Sequence, residues 1–297
     1  MDTFRVDVLG GSMRSRRSKV LMVFAVMLGG LCALGTTNAG AAGSPIGIAL
    51  ITSRTGVAGP EYSSAPAGFL ARIALQNAEG GINGRKIVPI VIDDQTSPTT
   101  VATAVQDAIS KNVLGIVAVS PVFFAAAKFP QEAGIPVTGS FSDGPEWGEQ
   151  PYTNMFASDN GSVDPKYPAN LGGALFMKQH GGTVLGAYGY GISPSSTRAA
   201  QGTALAFEHI GGKVGILDTS IPFGGVAFTG AALAAKQKGV NAVTADLDNN
   251  SNFALATSLQ QAGIKPKVVV FPTGYEPSVI KSPVWKTLQG DYFVTEF

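Results

Sequence analysis

The chain has 297 residues, 45% hydrophobic and 14% charged, with 38 glycines and 18 prolines. That composition excludes a disordered chain and allows one large or two ordinary domains with a packed core. The formal charge of +1 is uneven: Arg5, Arg14, Arg16, Arg17 and Lys19 stand against Asp2 and Asp7, so the rest carries 16 basic and 18 acidic residues of the total 21 and 20, which is no nucleic-acid footprint.

The first 42 residues read as an export signal. A basic region ending at Lys19 precedes an apolar run, Val20 to Gly35, and Ala39-Gly40-Ala41 offers a cleavage site near Ala41. The apolar run is short for a membrane span of about 20 residues; a retained anchor is the alternative reading. Ser15-Arg16-Arg17 hints at twin-arginine export, although Ser18-Lys19 displaces the expected apolar residues, and general secretion is preferred. Cys32 is the sole cysteine; Leu31 before it disfavours a lipid anchor, and a processed chain has no disulfide, thiol nucleophile or cysteine metal site.

From Ile46 the spacing predicts a buried strand to Ile51, a polar loop from Ser53 to Ser64, and a helix with Pro66, Phe69, Leu70, Ile73, Ala74 and Asn77 three and four apart. Gly80, Gly81 and Gly84 end it, and Ile87 to Ile92 is a second strand closed by Asp93-Asp94. Strand, helix, strand makes a parallel βαβ unit, and ligands of open parallel sheets bind outside the carboxyl ends of the strands. The loop 53–64 then lies at the mouth of a candidate site.

The pattern continues with a helix from Pro98 to Lys111 carrying Val101, Ala102, Val105, Ala108 and Ile109 on one face, a strand from Val113 to Val119, a helix from Phe123 to Ala133, and a strand led by Ile135-Pro136-Val137. Beyond residue 158 it repeats: helices Pro168 to His180, Thr197 to Ile210, Thr229 to Lys238 and Phe253 to Gly263 alternate with strands Thr183 to Tyr188, Val214 to Asp218, Asn241 to Ala245 and Val268 to Phe271.

Several of these segments resemble the extracytoplasmic solute-binding proteins of branched-chain-amino-acid-type ATP-binding cassette transporters, the type I periplasmic binding fold. The resemblance is carried by Thr55-Gly56, the loop to Tyr62, the string Asn77-Ala78-Glu79-Gly80-Gly81-Ile82-Asn83-Gly84, Asp93-Asp94-Gln95, Gln131-Glu132-Ala133-Gly134-Ile135-Pro136, Thr153 to Ser158, Gly239 to Val243 and Gln261 to Pro266. It implies an α/β protein of two doubly wound parallel-sheet lobes joined by a hinge: lobe 1 at 43–158, lobe 2 at 159–272, and a return crossing into lobe 1 at 273–297. The strand at Gly290 to Val294 is expected to rejoin lobe 1. The family's usual final quarter is missing, so the first lobe is expected to be incomplete, in a truncated reading frame or fragment.

Enzyme chemistry is poorly represented. His180 and His209 sit near helix ends with glycine pairs behind them, no G-x-S-x-G elbow occurs, and Gly189-Tyr190-Gly191 has Pro194 where a dinucleotide fingerprint needs glycine. Neighbouring Asp93 and Asp94 point opposite ways at a strand end. The chain is therefore expected to be no enzyme and to need no cofactor or metal.

A binding cleft needs polar and aromatic groups at the strand-end loops. The candidates are Tyr62, Ser120, Phe123 and Phe124, with Ser142 and Asp143 after the fourth strand, and Tyr190, Ser193 and Asp246 on the second lobe. Each also has a plain structural role available: Phe123 or Phe124 as core, Ser120 as a cap, Asp143-Gly144-Pro145 as a turn, Asp246 and Asp248 as loop acids. Amino-acid-binding relatives carry a serine after the third strand; Ser120 fits by distance to Gly134-Ile135-Pro136, whereas aligning Ser120-Pro121 with the usual Gly-Pro puts Phe124 there. Their Ala-Thr-Asn reads Ser142-Asp143-Gly144 here, and their Tyr-Gly falls at Ser193-Pro194. The implied ligand is an amino acid or another small solute, with Phe123, Phe124, Phe141 and Tyr190 suiting an apolar or aromatic one. The implied partner is a membrane permease, the protein being an exported monomer; a ligand-sensing receptor module and a non-functional remnant are the alternatives.

Overall fold

A computed structural model describes residues 43–139, 144–157, 164, 166–274 and 277–294. The predicted export signal lies outside the described residues, as do Phe141, Ser142 and Asp143.

The first lobe is built on β1 (Ile46–Thr52), followed by the short α1 (Gly59–Tyr62), α2 (Ala65–Ala78), β2 (Ile87–Asp93), α3 (Pro98–Ser110), β3 (Gly115–Val119), α4 (Lys128–Ala133), β4 (Val137–Gly139) and β5 (Met155–Ala157). The strands form one parallel sheet in the order β2-β1-β3-β4-β5. Leu50 and Ile51 of β1 are fully buried, which is why that strand reads as an unbroken apolar run: strands covered on both faces lose alternation. Helix α3 starts where Ser97 Oγ accepts the Thr100 N–H and Pro98 needs no partner of its own. It buries Val101, Ala104, Val105 and Ala108. Helix α2 buries only Ile73, leaving Leu70 and Leu75 exposed.

The turn between α2 and β2 explains its sequence. Asn83 and Gly84 both have positive φ (50° and 77°), the type I′ geometry that Asn-Gly adopts most readily. At Gly81 a Cβ would stand 2.0 Å from the Arg85 carbonyl oxygen, so no side chain fits. Asn77 then fixes β2 to the helix, accepting the Ile87 N–H and donating to the Ile87 carbonyl, each at 2.8 Å.

The helix predicted over Phe123 to Ala133 is split. Phe123–Ala125 form one 3₁₀ turn and α4 begins at Lys128. The reason is Pro130, which has no N–H for a carbonyl four residues earlier and is tolerated only in a first turn. Starting at Lys128 makes it the third residue of the helix.

The second lobe contains α5 (Leu171–Gln179), β6 (Val184–Tyr190), α6 (Pro194–His209), β7 (Lys213–Ile221), α7 (Thr229–Lys238), β8 (Ala242–Asp246), α8 (Asn249–Gln261), β9 (Val268–Phe271), α9 (Pro277–Ile280) and β10 (Tyr292–Phe293). Its parallel sheet runs β10-β9-β8-β6-β7. Leu185, Phe207 and Met177 pack with α5 and α6 in one cluster; Leu255, Leu259 and Phe271 pack with α7 and α8 in another. Each such fully buried side chain contributes on the order of 1.5–3 kcal/mol.

Strand β10 corrects the expected return crossing. It pairs with β9 of the second sheet, not with the first lobe: Val294 N–H donates to the Phe271 carbonyl at 2.9 Å, and Phe293 stacks near Phe253 and Phe271. A two-residue strand carries too little pattern to say which sheet it joins; the aromatic pocket beside Gly274 decides it.

Candidate functional site

At the carboxyl ends of β1 and β2 the two neighbouring acids diverge as alternation requires. Asp93 accepts the Arg54, Thr55 and Gln95 N–H groups and the Thr55 hydroxyl. Desolvation by burial is the largest single influence and opposes the charge, but the four hydrogen bonds together outweigh it and hold the carboxyl below its ordinary value. Asp94 turns inward and is fully buried, accepting Ser53 Oγ at 2.6 Å and the Thr96 N–H at 2.8 Å. Burial pushes its carboxyl up, partly offset by hydrogen bonds from Ser120, Ser53 and the Thr96 amide. The two acids thereby moor the loop that carries α1 over the end of the sheet.

In the second lobe, β6 delivers Tyr190 to a polar cluster. Its hydroxyl donates to Asp248 and lies 2.7 Å from Ser251 Oγ, which itself donates to Asp248 at 2.8 Å. Asp248 is also the N-cap of α8, accepting the Asn250 and Ser251 N–H groups. Burial first, then the Asp248 carboxylate, push the Tyr190 hydroxyl's pKa upward, so it stays a donor. Ser193 caps α6 by accepting the Ser196 N–H, while the Ser196 hydroxyl donates to the Asp246 carbonyl and accepts the Tyr190 N–H.

Between these two sets of loops lies a cavity of ≈ 140 Å³. Ala58, Glu61, Tyr62 and Pro121 wall it from the first lobe; Tyr190, Ser193, Phe223, Asp246, Asp248 and Thr273 wall it from the second. The Tyr190 and Phe223 rings lie 4.9 Å apart at 57°. Polar contacts bridge the lobes around the cavity: Glu61 accepts the Asn249 N–H at the start of α8, Asn250 Nδ2 donates to the Val57 carbonyl at 3.4 Å, and Arg198 pairs with Glu149. Among the described residues, no group of three or more His, Cys, Asp or Glu could hold a metal ion.

Of the residues singled out by sequence, Tyr62, Tyr190, Ser193 and Asp246 converge on this cavity. Ser120 does not line it; it is buried, accepts the Val122 N–H at 3.2 Å and supports Asp94. Phe123 is core, 2% exposed and packed near Trp147, and Phe124 packs against the same cluster. Ser142 and Asp143 lie outside the described residues. Glu61 and Phe223 line the cavity without a sequence signal: Glu61 is a lone acid in the Gly-Pro-Glu-Tyr string, and Phe223 stands in the Pro-Phe-Gly-Gly turn after β7.

Two parallel-sheet α/β lobes with a cavity at their facing strand ends define the type I binding-protein architecture. Residues 45–297 match the family model described as periplasmic binding protein, and the chain belongs to that family, a family of binding proteins and not of enzymes. A comparison with curated protein sequences gives no match. Among solved structures, the chain is similar to a leucine binding protein from Thermotoga maritima (TM-score 0.72, 18% identity, 85% of this chain and 70% of that one). It is similar also to a fatty acid ABC transporter substrate-binding protein from Thermomonospora curvata (TM-score 0.70, 19% identity, 84% and 63%). A third is an ABC transporter solute binding protein from R. palustris in complex with 4-hydroxybenzoate (TM-score 0.59, 17% identity, 77% and 61%). The chain thus spans 61–70% of the length of these proteins. Among the described residues no helix is long and apolar enough to cross a membrane.

Proposed function

We propose that the protein binds a small organic solute, an amino acid or a related molecule, outside the cytoplasm and delivers it to the permease of an ATP-binding cassette transporter. The observation that carries this reading is the cavity walled by strand-end loops of both lobes. A ligand seated there touches both walls only when the lobes approach, so binding shifts the population toward the closed arrangement. Family membership supports the binding role, and the similar fatty acid ABC transporter substrate-binding protein and the solute binding protein in complex with 4-hydroxybenzoate support small organic solutes carried for ABC transporters. Export through the basic and apolar leader, with cleavage near Ala41, completes the reading, with the protein acting as a monomer.

A thermal-melt screen against amino acids, amines, amides, aromatic acids and small sugars tests it. One chemical class raising the melting temperature in proportion to the logarithm of its concentration is the expected result, because a ligand specific for the folded state stabilises it. A cooperative melt that no solute shifts would refute solute binding by this chain.

A further inference from the structure

The second lobe carries another cavity, at the end of its sheet opposite the cleft. Its volume is ≈ 400 Å³, and it lies where the last turn of α8 meets the start of β9 and the turn before β10. Helix α8 separates the two sites. Its N-cap Asp248 lines the cleft, and Leu259 and Gln260 near its other end line this cavity. A helix of 13 residues puts about 20 Å between them.

Asp291 is the group that asks for a ligand. Its Oδ2 is shielded from solvent and has no hydrogen-bond partner in the protein. Buried carboxylates ordinarily collect donors, as Asp94 does from Ser53 and the Thr96 amide. At Asp291 burial alone acts, raising the carboxyl to about 6. It is therefore mostly ionised at neutral pH, with no donor on one oxygen. An ammonium group brings both the charge and the donors. The carboxyl end of α8 adds partial negative charge nearby.

The other titratable groups on the cavity wall are Lys265 and Lys267; the α8, β9 and 287–290 residues that line it carry none. Both lysines are exposed, and neither pairs with an acid among the described residues. The Lys267 stem rests against Gly181. A lysine ammonium at the rim keeps its strong hydration, whereas Asp291 Oδ2 is cut off from solvent. The cavity is thus negative inside and positive at its rim, with Leu259, Ile264 and Val269 as apolar wall. A simple cation would pass two like charges on entry, and a simple anion would meet Asp291. A zwitterion satisfies both ends. A cavity of about 150 Å³ admits benzene, so ≈ 400 Å³ holds a free amino acid with water around it.

We propose that this cavity is a second small-molecule site, for an amino acid with an uncharged side chain, its ammonium group on Asp291 and its carboxylate toward Lys265 and Lys267. The site stands apart from the cleft and does not depend on what the cleft binds.

The test is calorimetric titration of the protein with glycine, L-alanine, L-valine, L-leucine, L-serine and L-threonine. Any that binds is compared with its amine and its deaminated acid (for L-leucine, isopentylamine and 4-methylpentanoate). The expected result is a binding event that Asp291→Asn weakens tenfold or more and that Phe223→Ala, in the cleft, leaves alone. The amine and the acid should bind at least tenfold more weakly. Affinity should rise about tenfold from pH 5 to pH 7, as a carboxyl near 6 ionises. Lys265→Met should weaken the same event and decides the matter if Asp291→Asn folds poorly. Binding that responds to Phe223→Ala but not to Asp291→Asn belongs to the cleft; it overturns this proposal and leaves solute binding intact. An amine or acid that binds as tightly as its amino acid also overturns it. So does the absence of any event, which leaves the cleft to the melt screen.

Discussion

The bridge between Glu61 and α8 predicts how firmly the lobes hold together. Glu61→Gln keeps the shape and an acceptor oxygen for the Asn249 N–H but removes the charge. A hydrogen bond to a charged group contributes about 1.5–3 kcal/mol against about 0.5–1.5 for a neutral one, and a carboxylate at a helix N-terminus adds about 0.3–1. Glu61 is only partly buried, and solvent screening reduces both effects. The expected loss is therefore about 1 kcal/mol, a factor of about five in the ratio of closed to open molecules. Dyes at Lys111→Cys on the first lobe and Lys238→Cys on the second would report the distance distribution in the ligand-free protein. The substitution should shift the distribution toward longer distances, and high salt should do part of the same in the parent. An unchanged distribution would refute the assignment of Glu61 as a latch.

Three further outcomes follow from the described contacts. Phe123→Ala should cost about 3–5 kcal/mol in urea denaturation, since the ring is core and not cleft wall; a loss below about 1 kcal/mol would restore it as a surface residue. Burial raises the Asp291 carboxyl to about 6. Its folded pKa then lies above the unfolded one, so stability falls as pH rises from about 4 to about 6 and is level beyond, by up to about 3 kcal/mol. Asp291→Asn should accordingly stabilise the protein at pH 7.5 and not at pH 4; equal urea midpoints for parent and variant at pH 7.5 would exclude the effect. Gly81→Ala should destabilise by well over 1 kcal/mol, measured by thermal melting, because its Cβ collides with the Arg85 carbonyl at a φ of 80°.

Much of the architecture was legible because parallel strands and their helices leave long, regular traces. Thr229–Lys238 and Val268–Phe271 fall within the predicted bounds, and the Asn-Gly turn at residues 83–84 announces the α2–β2 connection. The failures have local causes. Pro130 breaks a helix that apolar spacing alone would continue, and the two residues of β10 carry no periodicity to say which sheet they join. Tyr62, Tyr190, Ser193 and Asp246 stand after strands or before helices, positions that bring them to the cavity wall, whereas Phe123 at a helix start fits core or cleft by sequence and is buried in the core. Glu61 and Phe223 reach the cavity through loop backbone directions, which no spacing rule encodes.

Asp248 performs two tasks that cannot be separated. It caps a helix burying Phe253, Leu255 and Leu259, and it holds Tyr190 against the cavity. Any drift in solute preference that begins by altering Asp248 also uncaps part of the second lobe's core, at about 1 kcal/mol for the cap alone. Asp246 and Phe223 carry no such capping duty, whereas Glu61 also accepts an N–H at the start of that helix. Descendants of this chain that acquire new solutes should therefore change at Asp246 and Phe223 first, with Asp248 and Tyr190 inherited as a pair.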